Sequence, residues 1–217
     1  MKLSALERDA SAVLNTPLLL AHADSATPLA ELSAAEQACF AQFNFENRRR
    51  DWLCGRNALK KLLRMLERPD DTKAIRFPDR QLSISHGEGS SFAVGTCAKT
   101  QGLGIDYEPL RAFNKRIVNW FLDDREIDWL SKQPATEIEQ LIIRLWTIKE
   151  AAFKSHPHNN GMSLWEFTVI DPTQQLVNAV TTAKGVSIQV VCRKFARGYL
   201  SIATFQKAQQ SGSRYED

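Results

Sequence analysis

At 217 residues, 43% hydrophobic and 24% charged, the chain has the size and composition of one large globular domain or two small packed halves. A net charge of +3 is too small to argue for nucleic acid, and no apolar run is long enough to span a membrane. Cys39, Cys54, Cys97 and Cys192 show neither metal-ligand spacing nor a disulfide framework, and Met1-Lys2-Leu3-Ser4 leading into Glu7, Arg8 and Asp9 does not read as a secretory leader. Reduced thiols and a cytoplasmic location are therefore expected.

In chain order, Leu18-Leu19-Leu20 reads as a buried strand. Ser33-Ala34-Ala35-Glu36 is a capping box opening a helical region that runs, with a break near 44–47, to Glu67 and stops at Pro69. Arg48, Arg49, Arg50, Arg56, Lys60, Lys61 and Arg64 crowd this region, either as a solvated face or as a polyanion contact. Residues 81–85 and 91–98 read as two strands around the turn His86-Gly87-Glu88-Gly89, and 103–108 as a third strand stopped by Pro109. A short helix is expected over 123–132, and a long one from Pro134, as a first helical residue, to about Lys154. Residues 156–161 form a loop; 165–170, 186–195 and 199–205 read as strands; 209–217 is a polar tail. Helix followed by strands occurs twice, which predicts an α+β fold of two pseudo-symmetric α/β halves of similar topology, residues 1–108 and 109–217, packed as one two-lobed unit.

The chemistry-bearing residues fall in three clusters. Asp106 and Glu108 lie on one face of the third strand, at its end, where two adjacent carboxylates repel unless a cation separates them. Hard oxygen donors suit Mg2+, with Mn2+ as a substitute, over zinc. Glu150 and Lys154 share a face late in the long helix, while Trp146 and Phe153 point to the core. Ser85-His86 stands at a strand end before a glycine. Each cluster alone also fits an ordinary surface: a solvated edge strand, an exposed helix ion pair, a structural histidine.

Taken together, Gly104-Ile105-Asp106-Tyr107-Glu108 and Trp146-Thr147-Ile148-Lys149-Glu150-Ala151-Ala152-Phe153-Lys154 resemble the paired signature of the surfactin-type 4'-phosphopantetheinyl transferases, and Ser85-His86 resembles that family's third motif. Arg49, Arg50 and Gly55-Arg56 resemble its basic helix. The resemblance spans roughly residues 45–155. It implies a Mg2+-dependent enzyme that transfers the 4'-phosphopantetheine arm of coenzyme A to a serine of an apo acyl or peptidyl carrier protein and releases 3',5'-ADP. Asp106, Glu108 and Glu150 would hold the metal; Glu150 and Lys154 would be catalytic, as base and leaving-group cation; Arg49, Arg50, Arg56, Lys73, Ser85, His86, Lys149 and Lys154 would contact coenzyme A. Tyr107, bulkier than the family's usual aliphatic residue, is expected to face away from the metal.

The carrier, acidic by this resemblance, would dock near Arg111, Phe113, Lys115 and Arg116, with Phe113 exposed and Trp120 and Phe121 in the core. Neither nucleic acid nor membrane is an expected partner, and a monomer is the simpler state, because one chain supplies the whole site. Two alternatives stay open: a metal-dependent phosphohydrolase using the same acids, and an inactive coenzyme A- or carrier-binding module.

Overall fold

The structure is a computed structural model, describing residues 2–87, 89–111 and 115–205. Two antiparallel sheets carry the fold. The smaller has the strand order β1-β3-β2, formed by β1 (Leu19–Ala23), β2 (Leu82–Gly87) and β3 (Ser90–Gly95). The larger has the order β4-β8-β7-β6-β5, formed by β4 (Gly102–Pro109), β5 (Phe167–Val169), β6 (Val177–Thr182), β7 (Ser187–Phe195) and β8 (Gly198–Phe205). The helices are α1 (Leu3–Val13), α2 (Ala34–Phe40), α3 (Glu46–Met65), α4 (Asp124–Ser131) and α5 (Ile138–Ser155). The α+β architecture is the expected one.

Helix α3 lays Cys54, Ala58, Leu59, Leu62 and Leu63 onto the small sheet, and α5 lays Ile142, Leu145, Ile148, Ala151 and Ala152 onto the large one. Both rows follow the helical repeat. A third apolar cluster joins the sheets: Leu6 and Ala10 of α1, Leu20 of β1, Phe92 of β3, Leu103 and Ile105 of β4, Leu200 and Ile202 of β8. Alternation along β4 therefore turns Leu103, Ile105 and Tyr107 to this shared core and Gly104, Asp106 and Glu108 to the α5 side. Tyr107 indeed lies against Phe92, with ring centroids 4.7 Å apart.

The sheets meet where β2 lies beside β4. Among the described residues no backbone ladder joins these strands; instead Ser83 Oγ accepts the Ile105 N–H and Ser85 Oγ accepts the Tyr107 N–H, each at 3.1 Å. The boundary expected after Glu108 falls inside β4, which pairs along its whole length with β8 of the large sheet. The junction between the halves is this serine seam.

The two halves share one buried device. Ser33 and Glu36 form a capping box on α2, and the Glu36 carboxylate reaches Lys60 of α3 at 3.0 Å and accepts from the Thr72 N–H and hydroxyl. Asp123 and Glu126 form a capping box on α4, and the Glu126 carboxylate holds Lys149 of α5 and accepts the Val169 N–H of β5 at 2.8 Å. In each half a capping glutamate ties a short helix to a lysine of the next long helix and to the chain beyond it.

Some elements depart from expectation. Helix α1 and strand β6 were not among the expected elements: α1 carries Leu3, Leu6, Ala10 and Val13 at helical spacing, whereas the buried face of β6 is Asn178, Val180 and Thr182, two of them polar, so no apolar alternation marks it. Pro134 does not start α5, which begins at Ile138 after a turn closed by the Glu137 N–H on the Pro134 carbonyl, 2.9 Å. Trp120, expected in the core, is 75% exposed, while Phe121 is buried against Trp146 at 5.0 Å. Successive residues of that 3-10 turn point in different directions, so only one of the two rings can face inward. The tail 209–217, Phe113 and the side chains of Lys115 and Arg116 lie outside the described residues. All four cysteines are free.

Candidate active site

Two glycines set the site's geometry. A Cβ on Gly102 would stand 1.8 Å from the Ser155 carbonyl oxygen and one on Gly104 1.9 Å from that of Ala151. Any side chain there would push α5 off β4. Because the helix lies directly on the strand, Lys154 reaches back to it: Nζ is 2.7 Å from Asp106 Oδ1, 3.3 Å from the Ile105 carbonyl oxygen and 3.8 Å from a Glu150 carboxylate oxygen. Asp106 is 4% exposed. Its Oδ1 also accepts the Ser85 hydroxyl at 3.0 Å, whereas its Oδ2 is buried and has no partner among the described residues. Glu108, two residues on, pairs with Arg111 at 3.0 Å.

Three carboxylates thus share two cations, Lys154 and the Arg111 paired with Glu108. Burial and then the Asp106 charge push the Glu108 carboxyl up to about 7, against Arg111 and Lys154. Burial raises Glu150 as well, with Asp106 adding to it and Lys154 opposing. For Lys154 burial disfavours the charge, but Asp106 and Glu150 outweigh it and the ammonium is held above its ordinary range. The excess negative charge, together with the orphaned buried Asp106 Oδ2, fits a hard cation. Among the described residues no three His, Cys, Asp or Glu side chains cage a metal on their own. A cation here would draw its remaining oxygens from water or a phosphorylated ligand.

The Glu108 shift makes a prediction about stability. Its proton is bound more tightly folded than unfolded, so stability falls as pH rises from 4.5 to about 7 and stays lower above. Glu108→Gln is expected to melt higher than the parent at pH 8, by at most about 3 kcal/mol, less because the side chain is 24% exposed. At pH 4 the two should coincide. Equal melting temperatures at both pH values would show that burial and the Asp106 charge do not raise the Glu108 carboxyl.

His86, at the end of β2, comes close to Gly55 of α3, where an added Cβ would lie 3.7 Å from its ring. It is exposed, yet desolvation by the atoms around it, then the charges of Lys154, Arg56 and Arg48, holds its pKa below the ordinary value against Asp51. Arg56 donates to the Thr72 hydroxyl at 3.1 Å and lies 5.0 Å over the Trp52 ring. Lys73 is exposed on the adjoining 3-10 turn. A small cleft of about 210 Å³ runs beside the seam, lined by Phe77, Pro78, Ser83 and Ile84 from one half and Lys154 and Asn159 from the other.

The structure therefore groups Asp106, Glu108, Glu150 and Lys154, and sets His86 and Arg56 beside them. Ser85, a buried seam residue, touches this group, donating to Asp106 Oδ1; others of the expected set lie elsewhere. Lys149 is fully buried on Glu126 and does not reach the cluster. Arg49 is bonded to the Phe43 carbonyl at 2.7 Å, and Arg50 points to solvent beside Asp51. Besides Arg56, the arginine whose charge is felt at His86 is Arg48, a member of the basic cluster that was not among the expected coenzyme A contacts; it stands seven residues before Gly55, two helical turns away on the same face.

No curated protein sequence matches the chain. Among solved structures, Thermotoga maritima holo-[acyl-carrier-protein] synthase (AcpS) is similar at 19% identity and a TM-score of 0.42, covering 50% of this chain and 64% of that one. The chain thus spans less than two thirds of that protein's length. Residues 102–203, which supply Asp106, Glu108, Glu150 and Lys154, match the family model described as ACPS, the 4'-phosphopantetheinyl transferase superfamily.

Proposed function

We propose that the protein transfers the 4'-phosphopantetheine arm of coenzyme A to a serine of an apo carrier protein, in the surfactin-type manner and with Mg2+. The observation that carries this reading is the charged Lys154 held on Asp106, beside Glu150 and an unpartnered Asp106 oxygen, at the seam of two halves. Asp106, Glu108 and Glu150 would hold the ion. When bound, it would polarise the pyrophosphate and offset the charge that builds during transfer.

The remaining work falls to the chain. Coenzyme A lies across the seam, with His86, Arg48 and Arg56 toward its 3'-phosphate and Lys73 nearby; arginine's planar fork suits phosphate oxygens. The carrier serine attacks the β-phosphorus, and 3',5'-ADP leaves. Lys154 neutralises the oxygens of the leaving phosphate. Glu150, its carboxyl raised by burial, would take the serine proton. An acidic carrier docks near Arg111, Phe113, Lys115 and Arg116; the exposed Trp120 ring beside that segment supports an apolar contact there.

Release of 3',5'-ADP from coenzyme A tests the reading. It should require both an apo carrier and a divalent cation, and cease in excess chelator. Phosphate release from simple esters without a carrier would favour a phosphohydrolase.

A further inference from the structure

We propose that Ser85 is a positioning residue that selects which oxygen of Asp106 faces the cation. This deepens the proposed transferase site and rests on that reading for its metal. The hydroxyl of Ser85 has one proton to give and lone pairs to receive. It receives the Tyr107 N–H at 3.1 Å, which orients it along the seam. Its own proton then goes to Asp106 Oδ1, 3.0 Å away. Lys154 donates to that same oxygen at 2.7 Å. Two donors saturate Oδ1 and fix the rotation of the carboxylate, and Oδ2 is left with no partner among the described residues.

Ser83 is the internal control. It sits two residues earlier on the same strand face, is equally buried and accepts the Ile105 N–H at the same 3.1 Å. It makes the same seam contact without touching Asp106. A purely structural role would make the two serines interchangeable. Without the Ser85 hydroxyl the carboxylate rotates more freely and Lys154 can draw either oxygen, so a cation must compete for both. Hydrogen-bond partners of metal ligands affect affinity in this way, by about 10–100-fold.

The test is Mn2+ binding by the full chain without coenzyme A, read as loss of the free-ion electron paramagnetic resonance signal. Ser85→Ala should weaken binding by about tenfold or more, and Ser83→Ala should leave it unchanged although both lower the melting temperature. Should Ser85→Ala fail to fold, Ser85→Cys, nearly isosteric with a weak S–H donor, carries the test and should also weaken binding. Equal weakening by the two alanine variants, unchanged affinity at position 85, or no Mn2+ bound by the parent overturns the proposal. If the parent binds Mn2+ with this serine pattern yet transfers nothing to a carrier, the transferase reading falls and the positioning role stands.

Discussion

Replacing Lys154 with alanine is expected to lower turnover by about 10²–10³ while leaving the Michaelis constant for coenzyme A nearly unchanged. The ammonium is 2.7 Å from Asp106 and its pKa is raised, so it stays charged across any working pH. A fixed positive charge interacts most strongly with the state that carries most negative charge, here the departing phosphate. Its loss therefore acts on the transition state more than on the bound substrate. The same change removes the cation that offsets Asp106 and Glu150, so metal affinity should not fall and should tend to rise. A variant with normal turnover and only a raised Michaelis constant would refute the role given to Lys154.

Lys149→Met should produce the largest loss of stability, about 3–5 kcal/mol. For a chain of this size that is on the order of 10 °C in melting temperature. Lys149 and Glu126 are 0% and 1% exposed at their side chains. Burial raises Glu126 and lowers Lys149, so both charges are held against desolvation by each other. Removing one leaves the other uncompensated, together with the α4 cap and the Val169 N–H that Glu126 serves. Glu126→Gln combined with Lys149→Met should recover part of the loss, because no lone charge remains buried. Turnover of the folded fraction should be near that of the parent, since Lys149 does not touch the carboxylate cluster. Selective loss of turnover with a normal melting temperature would return Lys149 to the active site.

These expectations follow the line between what local sequence carries and what it does not. Asp106, Glu108, Glu150 and Lys154 were legible because strand alternation and helical spacing are local rules, and each pair shares a face. The α2 capping box was legible for the same reason; the close approach that Gly102 and Gly104 allow was not, because it depends on where α5 lies. Lys149 was misplaced because its neighbours in the motif suggested one destination, while Glu126, supplied by another helix, set a different one. Arg49 went astray likewise, because the turn carbonyl of Phe43 is a tertiary fact that no spacing encodes, and Ser85 joins the site through Asp106 across a seam between sheets, which no spacing encodes either. Arg48 was within reach, since the helical repeat from Gly55 leads back to it, but the glycine's closeness to His86 had first to be seen. The repeated glutamate–lysine device shows that the two halves correspond in their packing, where element order alone had shown only a shared sequence of helices and strands.

The central claim is that Asp106, Glu108, Glu150 and Lys154 move a phosphopantetheine arm from coenzyme A to a carrier serine. The most direct measurement is the intact mass of an apo carrier protein after incubation with the full chain, coenzyme A and Mg2+, alongside Asp106→Asn, which keeps the side chain's shape and removes its charge. The account predicts that the parent adds one phosphopantetheine mass to the carrier and that Asp106→Asn, folded as judged by its melting curve, adds none. An unmodified carrier with the parent across fatty-acid, polyketide and peptide-synthetase carriers, or full modification by Asp106→Asn, would contradict it.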